Sequence, residues 1–334
     1  MHLRRVRAGG QIMLQVRDRA EWTTFAPVAS GRTSAAITPP SAADLVAFLA
    51  APADARRAIV HAATTNGAGS ARIDAVLLPF APRSFRDFML YERHARDAAR
   101  GFVRAFHPRL RPLIAGYEAL TRTTFPALRP SRLWYREPIY YMGNHLAFIT
   151  DGHVVIPSYT AALDYELEIG CVLARGLLNA SPQQAEAAIG GFVVVNDFSA
   201  RDVQLREMRS GFGPQKSKHF CNGMSAVVAT ADEVLPRCNS LRGFVRINGE
   251  LVAEPAAAGA RWSFGELLAH ASRCERLYPG ELFASGTLPG GSGIETGRLL
   301  APGDLIEIGI DHIGSLTHRV VAQQDEGHED HRPI

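Results

Sequence analysis

The chain has 334 residues, of which 46% are hydrophobic and 21% charged, so it can form one large domain or two modest ones around a sizeable core. Its formal net charge is only +3 and its arginines are scattered along the sequence, which argues against a nucleic-acid partner. The sequence has no apolar stretch long enough to predict a membrane span or a secretion signal. Its four cysteines are widely spaced, which predicts reduced thiols in a cytoplasmic protein rather than disulfides or a zinc ribbon.

The first 80 residues are predicted to form a small N-terminal covering domain. A strand pattern at Gln11 to Val16 precedes a helix that is capped by Ser41 and ends near Ala50. An Ala-rich pattern predicts a second helix from Asp54 to about Ala63, followed by a linker of small residues. Because this part of the chain offers few functional groups, we expect residues 81–334 to form the domain that holds the site.

The next predicted element is a helix that carries a histidine. Ser84 and Asp87, three residues apart, resemble a capping box, which predicts that a helix begins here and runs to about Phe106. His94 lies on this helix. A Pro-rich and aromatic stretch follows, from Pro126 to Tyr141.

The rest of the sequence predicts many short strands with interspersed helices. Alternating apolar residues from Leu163 to Ile169 indicate a strand with one buried face, and the apolar run Gly191 to Val195 indicates a strand buried on both faces. Ser181-Pro182 predicts the start of a helix. Asn248-Gly249 predicts a hairpin with a type I′ turn, and Pro302-Gly303 predicts a turn before another strand.

Three acidic residues of this region suggest a cation site. Glu166 and Glu168 are two apart on a predicted strand, so both point to one face with about 6.6 Å between their backbone positions. Asp197 directly follows a buried strand, where a rigid scaffold favours catalytic groups. An isolated Glu-x-Glu is more often a solvated strand face, but three hard oxygen ligands would suit Mg²⁺, Mn²⁺ or Ca²⁺ better than zinc. The pattern predicts a single divalent-cation site.

Four segments together resemble the fumarylacetoacetate hydrolase superfamily in order and spacing. The resemblance covers about two thirds of the chain, roughly Ser84 to Val321, and rests on LDYELEIG (Leu163–Gly170), NDFSARDVQ (Asn196–Gln204), GPQKSKHF (Gly213–Phe220) and GTLPGGSGIETG (Gly286–Gly297). It implies an α+β, β-rich fold, a mixed β-sandwich roll with peripheral helices and a small N-terminal domain. It also implies a homodimer and a role in aromatic catabolism.

The resemblance implies the metal ligands as well. Glu166, Glu168 and Asp197 match the family's metal-binding acidic residues. Asp87, seven residues before His94, matches a further aspartate of the hydrolase branch. The cation implied is Mg²⁺, with Ca²⁺ or Mn²⁺ as alternatives.

The remaining site residues are also implied by the resemblance. His94 would take a proton from water, since the reference pKa of histidine, about 6.5, makes both of its forms accessible near neutral pH. Glu295 would orient His94, and Lys218 would stabilise enolate charge. Arg201 could equally be a structural partner of Asp202 or of another carboxylate. Substrate contacts are implied for Tyr141, Arg201, Gln204 and Thr287.

Three features leave the branch and the substrate open. Tyr91, His94 and Asp97 partly match the Tyr-x-x-His-x-x-Glu pattern of the decarboxylase and acylpyruvase branches, whereas Asp87 favours hydrolysis. The late glycine loop is shorter than in the animal-type hydrolase. Three positions also depart from the hydrolase pattern, namely Met208, His219 and Asn222.

The sequence therefore predicts a metal-dependent hydrolase that cleaves a carbon–carbon bond in a β-diketone or dioxo-acid. The cation would polarise one carbonyl, and the histidine would activate a water molecule. One alternative is an oxo-acid decarboxylase, isomerase or hydratase with the same site. The other is an inactive, metal-stabilised binding protein. A small oxo-acid or diketone is the expected partner.

Overall fold

The computed structural model describes residues 1–18, 21–25, 44–65 and 72–323. The strands of the first half of the chain are β1 (His2–Ala8), β2 (Gln11–Asp18), β3 (Glu21–Phe25), β4 (Ile73–Leu77), β5 (Phe85–Phe88), β6 (Tyr140–Gly143), β7 (Phe148–Ile149), β8 (Gly152–Ile156), β9 (Leu163–Asp164) and β10 (Leu167–Leu173). The later strands are β11 (Ile189–Asn196), β12 (Ser199–Ala200), β13 (Asn222–Met224), β14 (Val227–Thr230), β15 (Gly243–Ile247), β16 (Glu250–Ala253), β17 (Leu282–Ala284), β18 (Leu305–Ile310) and β19 (Gly314–Ala322).

Helices are fewer and lie between the strands. The α-helices are α1 (Leu45–Ala50), α2 (Ala53–Thr65), α3 (Glu92–Phe106), α4 (Arg111–Thr121), α5 (Pro182–Ala187), α6 (Arg201–Ser210), α7 (Ala231–Val234), α8 (Phe264–Ala271) and α9 (Gly293–Thr296). Short 3₁₀-helices lie at Pro108–Leu110, Pro126–Leu128 and Leu235–Ser240. The strand-rich α+β class predicted from the sequence is confirmed.

Two main sheets organise the described residues. The larger sheet has the strand order β3-β2-β1-β14-β11-β10-β17-β5-β6, with β4 beside β1 and β13 between β11 and β7. The smaller sheet has the order β16-β15-β18-β19-β8, and β9 pairs separately with β12. The N-terminal strands thus continue the larger sheet through the pairing of β1 with β14. A domain boundary near residue 80 stays a prediction.

The core covers both faces of the larger sheet at its centre. In β11, Phe192 and Val194 belong to a hydrophobic cluster shared with the smaller sheet, while Val193 and Val195 belong to a second cluster shared with β1 and α1. Such a strand is apolar throughout because neither face meets water. Its first polar residues, Asn196 and Asp197, therefore come where the strand ends, and they are fully buried.

Several local predictions are confirmed. The predicted strand at Gln11 to Val16 is part of β2, and α2 spans the predicted Ala-rich helix. Ser181 caps α5 through a capping box. Asn248 and Gly249 both have positive φ angles, 55° and 84°, between the paired strands β15 and β16, as a type I′ turn requires. Ser41 lies outside the described residues, and the side chain of Asp44 caps α1.

The prediction that a helix opens at Ser84 is wrong. Phe85–Phe88 is a strand that pairs in parallel with β17, and the helix begins only at Glu92. The Ser84 hydroxyl donates to Glu281 at 3.0 Å instead of capping a helix. Phe85 and Phe88 are both buried, so tertiary pairing within the sheet overrides the local capping pattern.

The predicted strand from Leu163 to Ile169 is interrupted in the structure. β9 ends at Asp164 and β10 begins at Leu167, and every residue in between is buried. The expectation of one solvent-facing side is therefore wrong, because packed elements cover both faces. The four cysteines are free thiols. Among the described residues, no helix combines the length and apolar character needed to cross a membrane.

Candidate metal centre

Three carboxylates from separate strands of the larger sheet converge. Asp87 lies on β5, Glu168 on β10, and Asp197 directly follows β11. β10 pairs with both β11 and β17, and β17 pairs with β5, which brings the three chain segments together. Carboxylate oxygens of the three residues lie within 4.8 Å of one another, and all three side chains are buried.

In the part of the chain that the structure describes, two of these carboxylates, Asp87 and Glu168, lack the cationic side-chain partner that Asp197 has in Lys218. Burial, and then the charge of Asp197, raises the pKa of Asp87 well above its usual range. Burial, and then the charges of Asp87 and Asp197, does the same to the pKa of Glu168. Asp87 Oδ1 and Glu168 Oε2 are buried and have no hydrogen-bond partner within the described residues. Oxygen ligands left in this state fit a divalent cation of the Mg²⁺, Mn²⁺ or Ca²⁺ type.

Glu166 is placed differently from Glu168. Its carboxylate accepts hydrogen bonds from Lys218 Nζ and, at 2.7 Å, from Arg201 Nη2. Burial opposes ionisation of Glu166, but the charges of Arg201 and Lys218 outweigh it and lower its pKa below the usual range. Glu166 is thus an ionised carboxylate with two cationic partners at the edge of the triad. Its role as a metal ligand stays a prediction.

Lys218 connects Glu166 to the triad. The residue is 3% exposed, and its Nζ donates to Glu166 and, at 2.5 Å, to Asp197 Oδ2. Burial would lower the pKa of this ammonium, but the two carboxylates raise it. Lys218 therefore stays charged and neutralises part of the acidic cluster.

Other polar side chains hold the carboxylates in place. The Tyr141 hydroxyl donates to Asp197 Oδ2 at 2.7 Å, so this tyrosine is not simply a core residue. The Thr287 hydroxyl donates to Glu168 at 3.4 Å. In the amide orientation in which both its oxygen and its nitrogen have suitable hydrogen-bond partners, Asn222 donates to Asp197 Oδ1 at 3.0 Å. Asn222 is thus a contact of the site, although its sequence position only marked a departure from the hydrolase pattern.

A histidine–glutamate pair faces the same cluster. His94 Nδ1 lies 2.9 Å from Glu295 Oε2, and His94 Nε2 lies 3.9 Å from Glu166 Oε1. Glu295 is itself fixed, because it accepts hydrogen bonds from the Gly290 amide and the Ser292 hydroxyl at 3.0 and 2.7 Å. Since an ionised carboxylate only accepts, Nδ1 carries the proton of neutral His94. Nε2 is then left with a lone pair on the side of the acidic cluster.

Arg201 pairs with two buried carboxylates rather than with Asp202. Its Nε donates to Asp164 and its Nη2 to Glu166, each at 2.7 Å, while Nη1 donates to Gln204 at 2.9 Å. The charges of Glu166 and Asp164 outweigh burial and raise the pKa of Arg201. Arg201 is therefore held rigidly beside Glu166, with Gln204 on its outer side.

Asp164 is a residue that the sequence reasoning missed. It is fully buried and accepts hydrogen bonds from the amides of Gly293 and Ile294, at 2.7 and 2.8 Å, as well as from Arg201. It thereby joins β9 to α9, the short helix that carries Glu295. Its place two residues before Glu166 in the same acidic motif was the available signal.

The family model of the fumarylacetoacetate (FAA) hydrolase C-terminal domain matches residues 117–321. The chain belongs to the fumarylacetoacetate hydrolase family. An uncharacterized protein from Staphylococcus aureus (strain USA300) is 28% identical in an alignment of 187 residues that covers 54% of this chain. The chain spans 61% of the length of that relative.

Three solved structures share the fold of this FAA hydrolase family member. Fumarylacetoacetate hydrolase from Exiguobacterium antarcticum has a TM-score of 0.66 and 19% identity, and the match covers 97% of this chain and 100% of that one. Fumarylpyruvate hydrolase from Pseudomonas aeruginosa, in complex with Mn²⁺ and pyruvate, has a TM-score of 0.55 and 22% identity, with 75% and 93% covered. 5-Carboxymethyl-2-hydroxymuconate delta-isomerase from Mycobacterium smegmatis has a TM-score of 0.62 and 16% identity, with 97% and 100% covered.

Solved structures that share the fold include both a hydrolase and an isomerase, so membership of the family does not establish one reaction. In this FAA hydrolase family member, the site residues predicted from the sequence form one connected network. The triad of Asp87, Glu168 and Asp197 lies at its centre, with Glu166 and Lys218 beside it and His94 with Glu295 next to Glu166. The residues around them are Tyr141, Thr287, Arg201 and Gln204. The network places an acidic triad, a histidine–glutamate pair and a buried ammonium group side by side.

Proposed function

We propose that the chain is a metal-dependent hydrolase that cleaves a carbon–carbon bond in a β-diketone or dioxo-acid of the fumarylacetoacetate type. The observation that carries this proposal is the pair of His94 and Glu295 beside the acidic cluster, with Nε2 of His94 3.9 Å from Glu166. Enolate stabilisation alone needs a cation and an ammonium group. A histidine held by a buried carboxylate adds what water activation requires.

The cation would be held by Asp87, Glu168 and Asp197, with Glu166 beside them. Mg²⁺ is proposed first because all candidate ligands are hard oxygen atoms, and Mn²⁺ and Ca²⁺ are the alternatives. The Mn²⁺ in the fumarylpyruvate hydrolase structure supports a divalent ion of this type. When bound, the cation supplies positive charge that polarises a substrate carbonyl.

The side chains of this protein then account for the proton and electron transfers. His94 Nε2 takes a proton from water, and the hydroxide adds to a carbonyl carbon of the substrate. The adjacent carbon–carbon bond breaks, and its electron pair becomes an enolate, whose charge Lys218 stabilises. The His94 imidazolium returns its proton to the enolate carbon, which yields a carboxylic acid and a ketone. Glu295 keeps the reactive nitrogen of His94 directed at the cluster throughout.

Substrate contacts are proposed for polar groups that border the cluster. Tyr141 and Thr287 lie against the metal carboxylates, and Gln204 lies on the outer side of Arg201. Arg201 itself donates to two buried carboxylates, so we propose that it mainly neutralises Glu166. A homodimer and a cytoplasmic location stay predictions from the resemblance and the composition.

An oxo-acid isomerase, hydratase or decarboxylase is the second candidate. The cation site and Lys218 would serve isomerisation or decarboxylation without water activation, and the solved delta-isomerase shares the fold. A hydratase would use the same His94 and Glu295 pair to activate water. The alternative pattern of Tyr91, His94 and Asp97 finds less support, because Asp97 pairs with Arg100 at 3.1 Å and is half-buried. That carboxylate is therefore neutralised by its neighbour on the same helix.

Product analysis tests the proposal. The purified chain with Mg²⁺ or Mn²⁺ should convert a fumarylacetoacetate-type diketone into an acid and a ketone, and it should release no CO₂ from oxaloacetate. His94→Ala should keep metal affinity within about threefold and lower kcat by about 10²–10⁴-fold, the usual contribution of a general base. His153→Ala, at an exposed position of β8, is the matched control.

Each other result would support a different function or a different catalytic base. Release of CO₂ would favour the decarboxylase. Metal binding without turnover of any diketone or oxo-acid would favour the inactive binding protein. Unchanged kcat in His94→Ala would show that another group activates the water.

A further inference from the structure

The loop that presents Lys218 is bound by one carboxylate outside the acidic cluster. Glu207 lies on α6, and its Oε2 accepts hydrogen bonds from the amides of Gln215 and Ser217, at 2.9 and 3.1 Å, and from the Ser217 hydroxyl at 2.6 Å. Its Oε1 accepts a hydrogen bond from the amide of Lys216 at 2.7 Å. Four donors from three consecutive residues thus converge on one side chain, as the anchor of a loop would require.

The loop delivers Lys218 directly after this anchor. Ser217 is fully buried and Lys218 is 3% exposed, whereas Lys216, one residue earlier, is exposed and lies over the ring of Tyr159. The step from exposed to buried therefore occurs at the residues that Glu207 binds. A displacement of Ser217 would move the backbone from which the Lys218 side chain reaches Glu166.

We infer that Glu207 is a positioning residue that fixes the loop 215–218 and thereby holds the Lys218 ammonium between Glu166 and Asp197. The inference rests on the proposed function where it concerns turnover, because it assumes that Lys218 stabilises the enolate. The helix α6 then positions both cationic side chains of the site. It begins with Arg201, which binds Glu166 directly, and less than two turns later it carries Glu207, which fixes the loop of Lys218.

Other anchors of the loop lie on its far side. The Ala200 amide donates to the Ser217 carbonyl at 2.8 Å, and Asn144 donates to the His219 carbonyl at 2.9 Å. These bonds do not involve Glu207. Its removal is therefore expected to loosen the approach to Lys218 without unfolding the domain.

Amine labelling can test the position of Lys218 without any substrate. The sequence contains two lysines, Lys216 and Lys218, so every labelled side-chain amine is one of these two. Reductive dimethylation of the full chain with Mn²⁺ bound, read by peptide mass spectrometry, should label Lys216 fast and Lys218 slowly. In Glu207→Ala, the rate at Lys218 relative to Lys216 should rise at least tenfold.

Three further variants sharpen the result. Glu207→Gln keeps one acceptor oxygen and should restore part of the protection, and Ser217→Ala removes one of the four donors and should raise Lys218 labelling about threefold. Arg206→Ala, at the neighbouring exposed position of α6, should label as the wild type does. If Glu207→Ala does not fold, Ser217→Ala decides the matter alone.

Kinetics provide the second readout. Glu207→Ala should lower kcat for the diketone at least tenfold with a smaller change in KM, and Glu207→Gln should recover part of kcat, because Lys218 acts on charge that develops during the reaction. Wild-type labelling of Lys218 in folded Glu207→Ala, or unchanged labelling in Ser217→Ala, would overturn the inference. Absence of diketone turnover in the wild type would contradict the proposed function instead, and the labelling would still decide the role of Glu207.

Discussion

Neutralising one carboxylate of the triad should have opposite effects with and without a divalent cation. In Glu168→Gln, the two repulsions of Glu168 with Asp87 and Asp197 disappear, and their carboxylate oxygens lie within 4.8 Å of one another. At an effective dielectric constant of about 20, each repulsion is about 3 kcal/mol. The raised pKa values of Asp87 and Glu168 mean that proton uptake already relieves part of this repulsion. We therefore expect the variant to gain about 2–3 kcal/mol in free energy of unfolding without metal.

The pH dependence follows from the same shift. Because the folded-state pKa of Glu168 is raised, the wild type binds more protons when folded than when unfolded, and it loses stability as the pH rises above the ordinary glutamate range. The advantage of Glu168→Gln in EDTA should therefore be smallest near pH 4 and larger at pH 7. With the cation present the order should reverse, since the variant lacks one of the proposed ligands.

Urea unfolding in EDTA and in Mn²⁺, together with calorimetric Mn²⁺ titration, would measure these effects. Removing a residue that only hydrogen-bonds to a metal ligand usually lowers metal affinity by about tenfold to 100-fold. Glu168 is proposed as a direct ligand, so we expect Glu168→Gln to lower the Mn²⁺ affinity by at least about 100-fold. Glu254→Gln, at an exposed position, should match the wild type in both conditions. The reasoning is refuted if Glu168→Gln is less stable than the wild type in EDTA or binds Mn²⁺ with wild-type affinity.

Three other substitutions test the supports around the site and the buried histidine of the smaller sheet. In Gly293→Ala the new methyl group would overlap the Asp164 carboxylate and a backbone carbonyl, so urea unfolding should show a loss of about 1–3 kcal/mol, and kcat should fall because α9 carries Glu295. Asp164→Ala leaves the buried charge of Arg201 without one of its partners and should cost about 3–5 kcal/mol by the same measurement. Burial lowers the pKa of His318 to about 4, so below about pH 6.5 the unfolded chain binds a proton at this residue that the folded chain does not bind. The free energy of unfolding of the wild type should therefore fall by about 2 kcal/mol between pH 7 and pH 5, and His318→Leu should lack this part of the pH dependence.

Local chemistry made part of this structure predictable from the sequence. Asn248-Gly249 and Ser181-Pro182 formed the predicted turn and helix start because a positive φ angle and a cap depend on a few adjacent residues. The grouping of distant motifs into one site came from the family resemblance, since no local pattern relates Asp87 to Asp197. Three of the four predicted ligands, Asp87, Glu168 and Asp197, lie together, whereas Glu166 is placed beside them with cationic partners, and their role as metal ligands stays a prediction.

The failures lie where long-range pairing decides the local structure. Ser84 and Asp87 resembled a helix start, but β5 pairs in parallel with β17, almost 200 residues later. The local sequence pattern carries no information about this distant strand. Likewise, the alternating pattern from Leu163 to Ile169 predicted one continuous strand. The break between β9 and β10 instead gives Glu166 a bridge to Ser292 and cationic partners of its own.

The balance of buried charge explains why so many groups converge on this centre. Around the triad, the buried cationic side chains of Arg201 and Lys218 face the buried carboxylates of Asp87, Asp164, Glu166, Glu168 and Asp197, while Glu295 pairs with His94. The cations bind Asp164, Glu166 and Asp197, which leaves Asp87 and Glu168 as the pair with the strongly raised pKa values and the unpartnered oxygens. Such a pair can be neutralised by protons or by a cation. Two positive charges in one ion offset both carboxylates together, so the pattern of pairing and the donor chemistry point to the same divalent site.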